Sequence, residues 1–185
     1  GTFNIRNGKA ADGLNIWPNR KDLVIQSIAE KSPDVIGFQE VMPFVKDFLK
    51  ENLSQYIIVG NGREADLGGE DNCIAIKRDT LELVSLETIW LSDTPYVPGT
   101  QLKGNDSCPR ICTVVALRSK EHNQLFRVFN THLDHRFPNI RIKQLRILDR
   151  FMDEYEKKRS LPTFLIGDLN CTPDSEEISY ILNSF

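Results

Sequence analysis

Two short apolar runs, Val35-Ile36-Gly37-Phe38 and Thr163-Phe164-Leu165-Ile166-Gly167, break off abruptly in polar residues. The first ends in Gln39-Glu40, the second in Asp168-Leu169-Asn170, and a third stretch ends in Asn130-Thr131-His132-Leu133-Asp134. Near-continuous apolar runs read as strands covered on both faces. Polar groups at the ends of such strands are expected to gather at one sheet edge, where α/β proteins place their sites. A carboxylate at a partly buried strand end costs free energy unless positive charge neutralises it. Mg²⁺, which takes one or two carboxylates and keeps several waters, suits that position, and Glu40 is the first candidate ligand.

The same residues suggest a reaction. Cleaving a phosphate ester requires charge neutralisation on the phosphoryl oxygens, a water activated in line with the leaving group, and stabilisation of the leaving oxygen. Asp168 could accept a proton from the water, and Asn170, read as lying two residues on along the same strand face, could hold that water or a phosphate oxygen. His132 could donate to phosphate, with an adjacent anion favouring its charged form. Taken singly, each carboxylate is as well explained by a helix cap or a surface ion pair, and His132 by a backbone partner. It is the joint pattern that argues for a site. Arg110 either clamps phosphate bidentately or is a surface arginine, and Glu70, after Gly68-Gly69, either faces the cleft or closes a turn. Trp17 and Trp90 read as packing residues rather than base-stacking platforms.

The elements that must position these groups alternate between strand-like and amphipathic segments, with no internal repeat or linker. Phe3 to Arg6 reads as a strand. Asn19 with Asp22 predicts a capped helix from Asn19 to Lys31, stopped by Ser32-Pro33. Pro43 suits the first turn of a helix whose core face carries Phe44, Phe48 and Leu49. Tyr56 to Gly60, Asn72 to Arg78, Leu81 to Leu91 and Arg110 to Arg118 predict antiparallel strands, the last with Ile111, Thr113, Val115 and Leu117 on one face. The Pro/Gly/Asn-rich stretch from Asp93 to Pro109 is too long for a routine connection and is expected to rim the site. Leu125 to Asp134 is a further strand, and Ile140 to Lys157 a helix burying Leu145, Leu148, Met152 and Tyr155. Asp174-x-x-Glu177 resembles a capping box before a last helix.

Bulk properties narrow the classes. At 185 residues, with 40% hydrophobic and 26% charged residues, the chain suits one ordinary globular domain, 1–185, with a sizeable core. A net charge of −3 argues against a broad basic surface for long duplex nucleic acid, while leaving nucleic acid open as a substrate and a local phosphate site intact. No apolar run is long enough to span a membrane, and the first residues do not form a signal peptide. A signal already removed stays open, and so does the compartment. The four cysteines lack zinc-finger spacing and read as thiols.

Four blocks carry a resemblance: Thr2-Phe3-Asn4-Ile5-Arg6, Gly37-Phe38-Gln39-Glu40, Asn130-Thr131-His132-Leu133-Asp134 and Gly167-Asp168-Leu169-Asn170. In order and content they resemble the successive motifs of the endonuclease/exonuclease/phosphatase superfamily. The middle of the chain, including Ile89 to Pro95 and Pro109-Arg110-Ile111, is similar to a largely uncharacterised bacterial branch of it. The resemblance implies an α/β, DNase I-like four-layer sandwich: two mostly antiparallel sheets face to face, with helices outside. It implies hydrolysis of a phosphodiester or phosphomonoester with Mg²⁺ or Mn²⁺, Glu40 binding the metal, His132 contacting phosphate, Asp168 and Asn170 positioning and activating the water, and Asn4 supporting the network. Complete members carry a later Asp and a final Asp-His pair; here the sequence reaches Ser184-Phe185 without them. The closing strands of the second sheet are therefore expected to be missing, leaving an apolar sheet edge prone to association. Without an acid and a base together, the alternative is a non-catalytic module that kept the phosphate pocket.

Overall fold

The computed structural model describes residues 1–104 and 107–184. Asn105 and Asp106, inside the predicted rim loop, and Phe185 lie outside the described residues. The chain runs β1 (Thr2–Asn4), α1 (Trp17–Lys31), β2 (Val35–Gln39), α2 (Pro43–Asn52), β3 (Tyr56–Val59), β4 (Ile74–Lys77), β5 (Leu81–Trp90), β6 (Ile111–Ser119), β7 (Leu125–His132), α3 (Pro138–Lys158), β8 (Thr163–Asp168) and α4 (Glu176–Ser184). Two four-stranded sheets result, ordered β1-β2-β4-β3 and β5-β6-β7-β8. Each contains one parallel pair, β1 with β2 and β7 with β8, and is otherwise antiparallel.

Alternation along the strands explains the layering. On β4, Ile74 and Ile76 join Val115 and Leu117 of β6 and Val128 of β7 in a core between the sheets. Cys73 and Ala75 turn the other way, onto Val24 and Ile28 of α1 and Val45 and Leu49 of α2. On β6, Cys112 and Val114 pack against Leu145, Leu148 and Phe151 of α3. The result is the expected α/β four-layer sandwich, with burial on both faces of the central strands.

Several local expectations are corrected. The first helix begins at Trp17, with Pro18 in its first turn and no side-chain cap, so the Asn19/Asp22 cap does not form. Proline's fixed φ and missing N–H make it the better start signal. Phe44 is 42% exposed, and Val45 takes its place in the core beside Leu49. The capping box at Asp174/Glu177 is also absent: Ser175 Oγ caps the Ile178 N–H, while Glu177 turns inward to Arg141. The stripe on α3 holds at Leu145 and Leu148, with Met152 and Tyr155 partly buried against the same core, and buried Arg141 and Gln144 join it.

Candidate active site

Glu40 is placed by the end of β2 and by its own backbone, which is left-handed (φ 63°). That region is costly for a residue with a Cβ and persists only where surroundings enforce it. Here the enforcement runs between the sheets. Asn130, buried on β7, donates from Nδ2 to the carbonyls of Phe38, Asn72 and Cys73 and accepts from Gln39 Nε2 at 2.7 Å. Gly37 permits this, since a Cβ there would meet Asn130 Oδ1 at 2.5 Å.

Asn4, beside Gln39 in the β1–β2 register, donates from one Nδ2 to both Glu40 Oε1 and Asp168 Oδ2, each at 2.8 Å. One amide thus joins carboxylates from the two sheets. Glu40 Oε2 accepts the Asn7 N–H at 2.6 Å, and Asn7 Nδ2 reaches Glu70. Glu40 makes no ion pair among the described residues. Arg20 pins this turn by donating to the carbonyls of Ile5 and Arg6.

Asp168 pairs with His132 in the β7–β8 register, and the carboxylate lies 3.8 Å from His132 Nε2. Asn170 does not share its strand face. β8 ends at Asp168, and Asn170 takes a left-handed conformation (φ 50°) that directs its N–H to Asp168 Oδ1 and its Nδ2 to the Leu133 carbonyl. A tight turn back, rather than strand alternation, brings it to the site.

Glu40, His132, Asn170, Arg110 and Glu70 line one cavity of about 400 Å³ together with Arg6, Asn7, Arg63, Cys108 and His135. Asp168 and Asn4 line the adjoining groove, which Asn170 shares, so the two carboxylates flank a common wall. Among the described residues, the Asp93–Pro109 loop reaches the cavity through Cys108 near its end. Upstream, Leu102 is buried in the outer core and Tyr96 packs on Phe151. Arg110 is not a surface residue: it is 4% exposed, its Nε is buried with no partner among the described residues, and its Nη2 lies 3.0 Å from His135 Nδ1. Glu70 faces the cavity but is engaged, with Arg63 Nη1 at 2.6 Å and Asn7.

Electrostatics follow from burial. Desolvation, reinforced by Arg110, lowers the His132 pKa to about 4, so the imidazole is neutral at pH 7 rather than charged. Burial pushes Asp168 up, but hydrogen bonds from Asn4 and the Asn170 N–H outweigh it and hold the carboxyl below its ordinary range. Burial likewise lowers the Arg110 pKa.

His132 carries a stability prediction for the metal-free protein. As pH falls through 6.5 the unfolded chain takes up a proton at this residue, whereas the folded chain does so only near pH 4. Stability is therefore lost across that window, by about 3 kcal/mol at 1.36 kcal/mol per pKa unit. In urea titrations with chelator, the stability of His132→Gln relative to the parent should rise by about that amount between pH 7 and pH 4. A difference that stays flat over the window disproves it.

Sequence reasoning missed Asn7, Arg63, His135 and the structural role of Asn130. Asn130 was within reach, since it lies two residues before His132 and so shares its strand face. Asn7 and Arg63 lie in turns that no periodicity marks.

Fold and site together define an α/β two-sheet sandwich with a polar site where strand ends from both sheets meet. The chain belongs to the Endonuclease/Exonuclease/phosphatase family, whose profile matches residues 1–184. An uncharacterised protein of Acanthamoeba polyphaga mimivirus is 32% identical over 164 residues, 83% of this chain and 59% of that protein. Nocturnin of Drosophila melanogaster is 29% identical over 169 residues, 85% of this chain and 24% of that protein. The chain thus spans well under two thirds of these relatives. A mannosyl-6-phosphatase of Bacteroides thetaiotaomicron superposes with a TM-score of 0.92 at 27% identity, covering 98% of this chain and 68% of that one. Among the described residues no helix is long and apolar enough to cross a membrane.

Proposed function

We propose that this chain forms the greater part of the active site of a divalent-metal-dependent phosphoesterase that uses water to cut a phosphoester. The observation carrying this is the Asn4 amide shared by Glu40 and Asp168, which unites a candidate metal ligand and a candidate base from opposite sheets. Family membership and the likeness to a sugar-phosphate phosphatase support the same reading.

The donor set suits Mg²⁺ or Mn²⁺. Among the described residues no three His, Cys, Asp or Glu side chains cluster as a metal cage. Mg²⁺ needs none, because one or two carboxylates with waters and substrate oxygens suffice. Glu40 meets that need, since each oxygen accepts one hydrogen bond, keeps lone-pair capacity and makes no ion pair among the described residues. When bound, the ion would neutralise charge on the phosphoryl oxygens.

The chain's own groups do the rest. Asp168, ionised at neutral pH, accepts a hydrogen bond from the attacking water and, with its lowered pKa, orients that water more than it deprotonates it. Asn170 uses its remaining amide capacity on water or phosphate. His132 donates from its neutral ring and gains a proton more readily once an anion sits beside it. Arg110 pairs with phosphate, and Asn4 holds the two carboxylates in place.

The whole protein should hydrolyse p-nitrophenyl phosphate or bis-p-nitrophenyl phosphate with Mg²⁺ or Mn²⁺, lose that activity in chelator and regain it when metal returns. Turnover undiminished by chelation overturns the mechanism. Phosphate binding without turnover would make the chain a binding module.

A further inference from the structure

Within the cavity, the charges are matched at every arginine but one. Arg6 is paired with Asp12, and Arg63 with Glu70 and Glu64. Arg110, 4% exposed, has no carboxylate in ion-pair contact among the described residues; Asp134 and Glu70 act on it from farther off, and Arg63 opposes them. A guanidinium taken out of water without an anion is costly and is kept where a ligand supplies the anion. Its Nε has no hydrogen-bond partner among the described residues, and the guanidinium lines the cavity, where its charge suits a phosphate.

The lining has a second property. Among the described residues it contains no aliphatic side chain and no Phe, Tyr or Trp. Both tryptophans are buried elsewhere: Trp17 lies against Phe48, and Trp90 donates its indole N–H to the Arg63 carbonyl. Bases are held by aromatic stacking, and among the described residues neither this cavity nor the adjoining groove has an aromatic wall, the groove's apolar residues being Leu169, Pro173 and Ile178. At about 400 Å³ the cavity is also near the small end of ligand-binding cavities.

We infer that the substrate is the phosphomonoester of a small, hydroxyl-rich alcohol such as a sugar or polyol, and that Arg110 is the residue selecting it over a phosphodiester. A monoester carries close to two negative charges at neutral pH and three terminal oxygens. A diester carries one charge, half of what a monoester brings to balance Arg110 and a bound divalent ion, in a site whose other arginines are already paired. The sugar or polyol hydroxyls find partners in the amides and charged groups of the wall, which would leave a nucleobase poorly solvated.

This rests on the hydrolase reading above, and the test separates the two. Initial rates are measured for the whole protein with Mg²⁺ or Mn²⁺, as glucose release from glucose 6-phosphate and as glucose plus methanol release from its methyl phosphodiester. The parent should favour the monoester by at least a hundredfold in kcat/KM. Arg110→Met should lower the monoester value by about a hundredfold, the scale of losing a charge-assisted pair, with less than tenfold effect on the diester. Arg110→Lys should recover only part of the loss, because an ammonium cannot reproduce the planar guanidinium. Preference for the diester, or equal losses on both esters in Arg110→Met, overturns the inference while leaving the hydrolase reading standing. No turnover of any phosphoester with either metal removes the hydrolase reading and this inference with it. A readout free of variants and of turnover is binding to the metal-free parent: inorganic phosphate at pH 8 should raise Tm and dimethyl phosphate should not. Equal shifts from the two anions count against the inference.

Discussion

Replacing Glu40 with alanine is expected to lower phosphoester hydrolysis by at least a thousandfold. Charge neutralisation by a bound divalent ion is worth several kcal/mol in a phosphoryl-transfer transition state, and about 4 kcal/mol corresponds to that factor. Of the carboxylates that line the cavity among the described residues, Glu70 is tied to Arg63 and Glu40 has no arginine partner. The loss has a second origin, since Glu40 accepts from Asn4 and from the Asn7 N–H, and its removal frees both donors in a half-buried wall. Glu40→Gln separates the two origins. It keeps an acceptor for one donor but carries no charge, so its metal requirement should shift to higher concentration while its unfolding midpoint stays near the parent's. Asp168→Asn should behave differently: its activity should fall comparably, but added metal should not restore it. Restoration of Asp168→Asn by metal, or retention of activity in Glu40→Ala, would exchange or cancel the assigned roles.

What could be read in the sequence and what could not divides along a physical line. Glu40, His132 and Asp168 were visible because each stands where an apolar run stops, and the period of a strand reports burial one residue at a time. Their convergence followed from the same signal. Asn170 was seen for its type but misplaced, because its position depends on a left-handed turn rather than on strand alternation. For Arg110 the sequence does not separate a phosphate clamp from a surface residue. A guanidinium directly before a strand looks the same in sequence whether it points outward or, as here, inward beneath His135. Asn7 and Arg63 gave no signal, since their roles arise from hydrogen bonds to Glu40 and Glu70 that no local propensity encodes. Helix starts failed where a cap was preferred to a proline at Pro18, and where Glu177 was assigned a local role although its partner lies 36 residues away.

That partner makes Glu177 the position with the largest expected effect on stability. Arg141 on α3 and Glu177 on α4 are both buried, with Nε and Oε1 2.7 Å apart. Arg141 Nη1 also donates to the Asp134 carbonyl, while Gln144 accepts the Asp134 N–H. The pair therefore joins two helices to the turn that follows His132. Glu177→Ala leaves the guanidinium buried without its anion, and breaking such a pair from one side costs about 3–5 kcal/mol. Urea unfolding should show that loss at pH 7. The double variant Arg141→Met/Glu177→Leu should recover most of it, because well-packed apolar replacements of buried ion pairs are often neutral or stabilising. Function should not recover in parallel. With Arg141 gone, the Asp134 carbonyl loses its donor and the His132 turn loses one of its two ties to α3, so the double variant should be stable yet impaired in kcat. A cost below 1 kcal/mol for Glu177→Ala would mean that water reaches Arg141, and that the helices are joined by their apolar contacts alone.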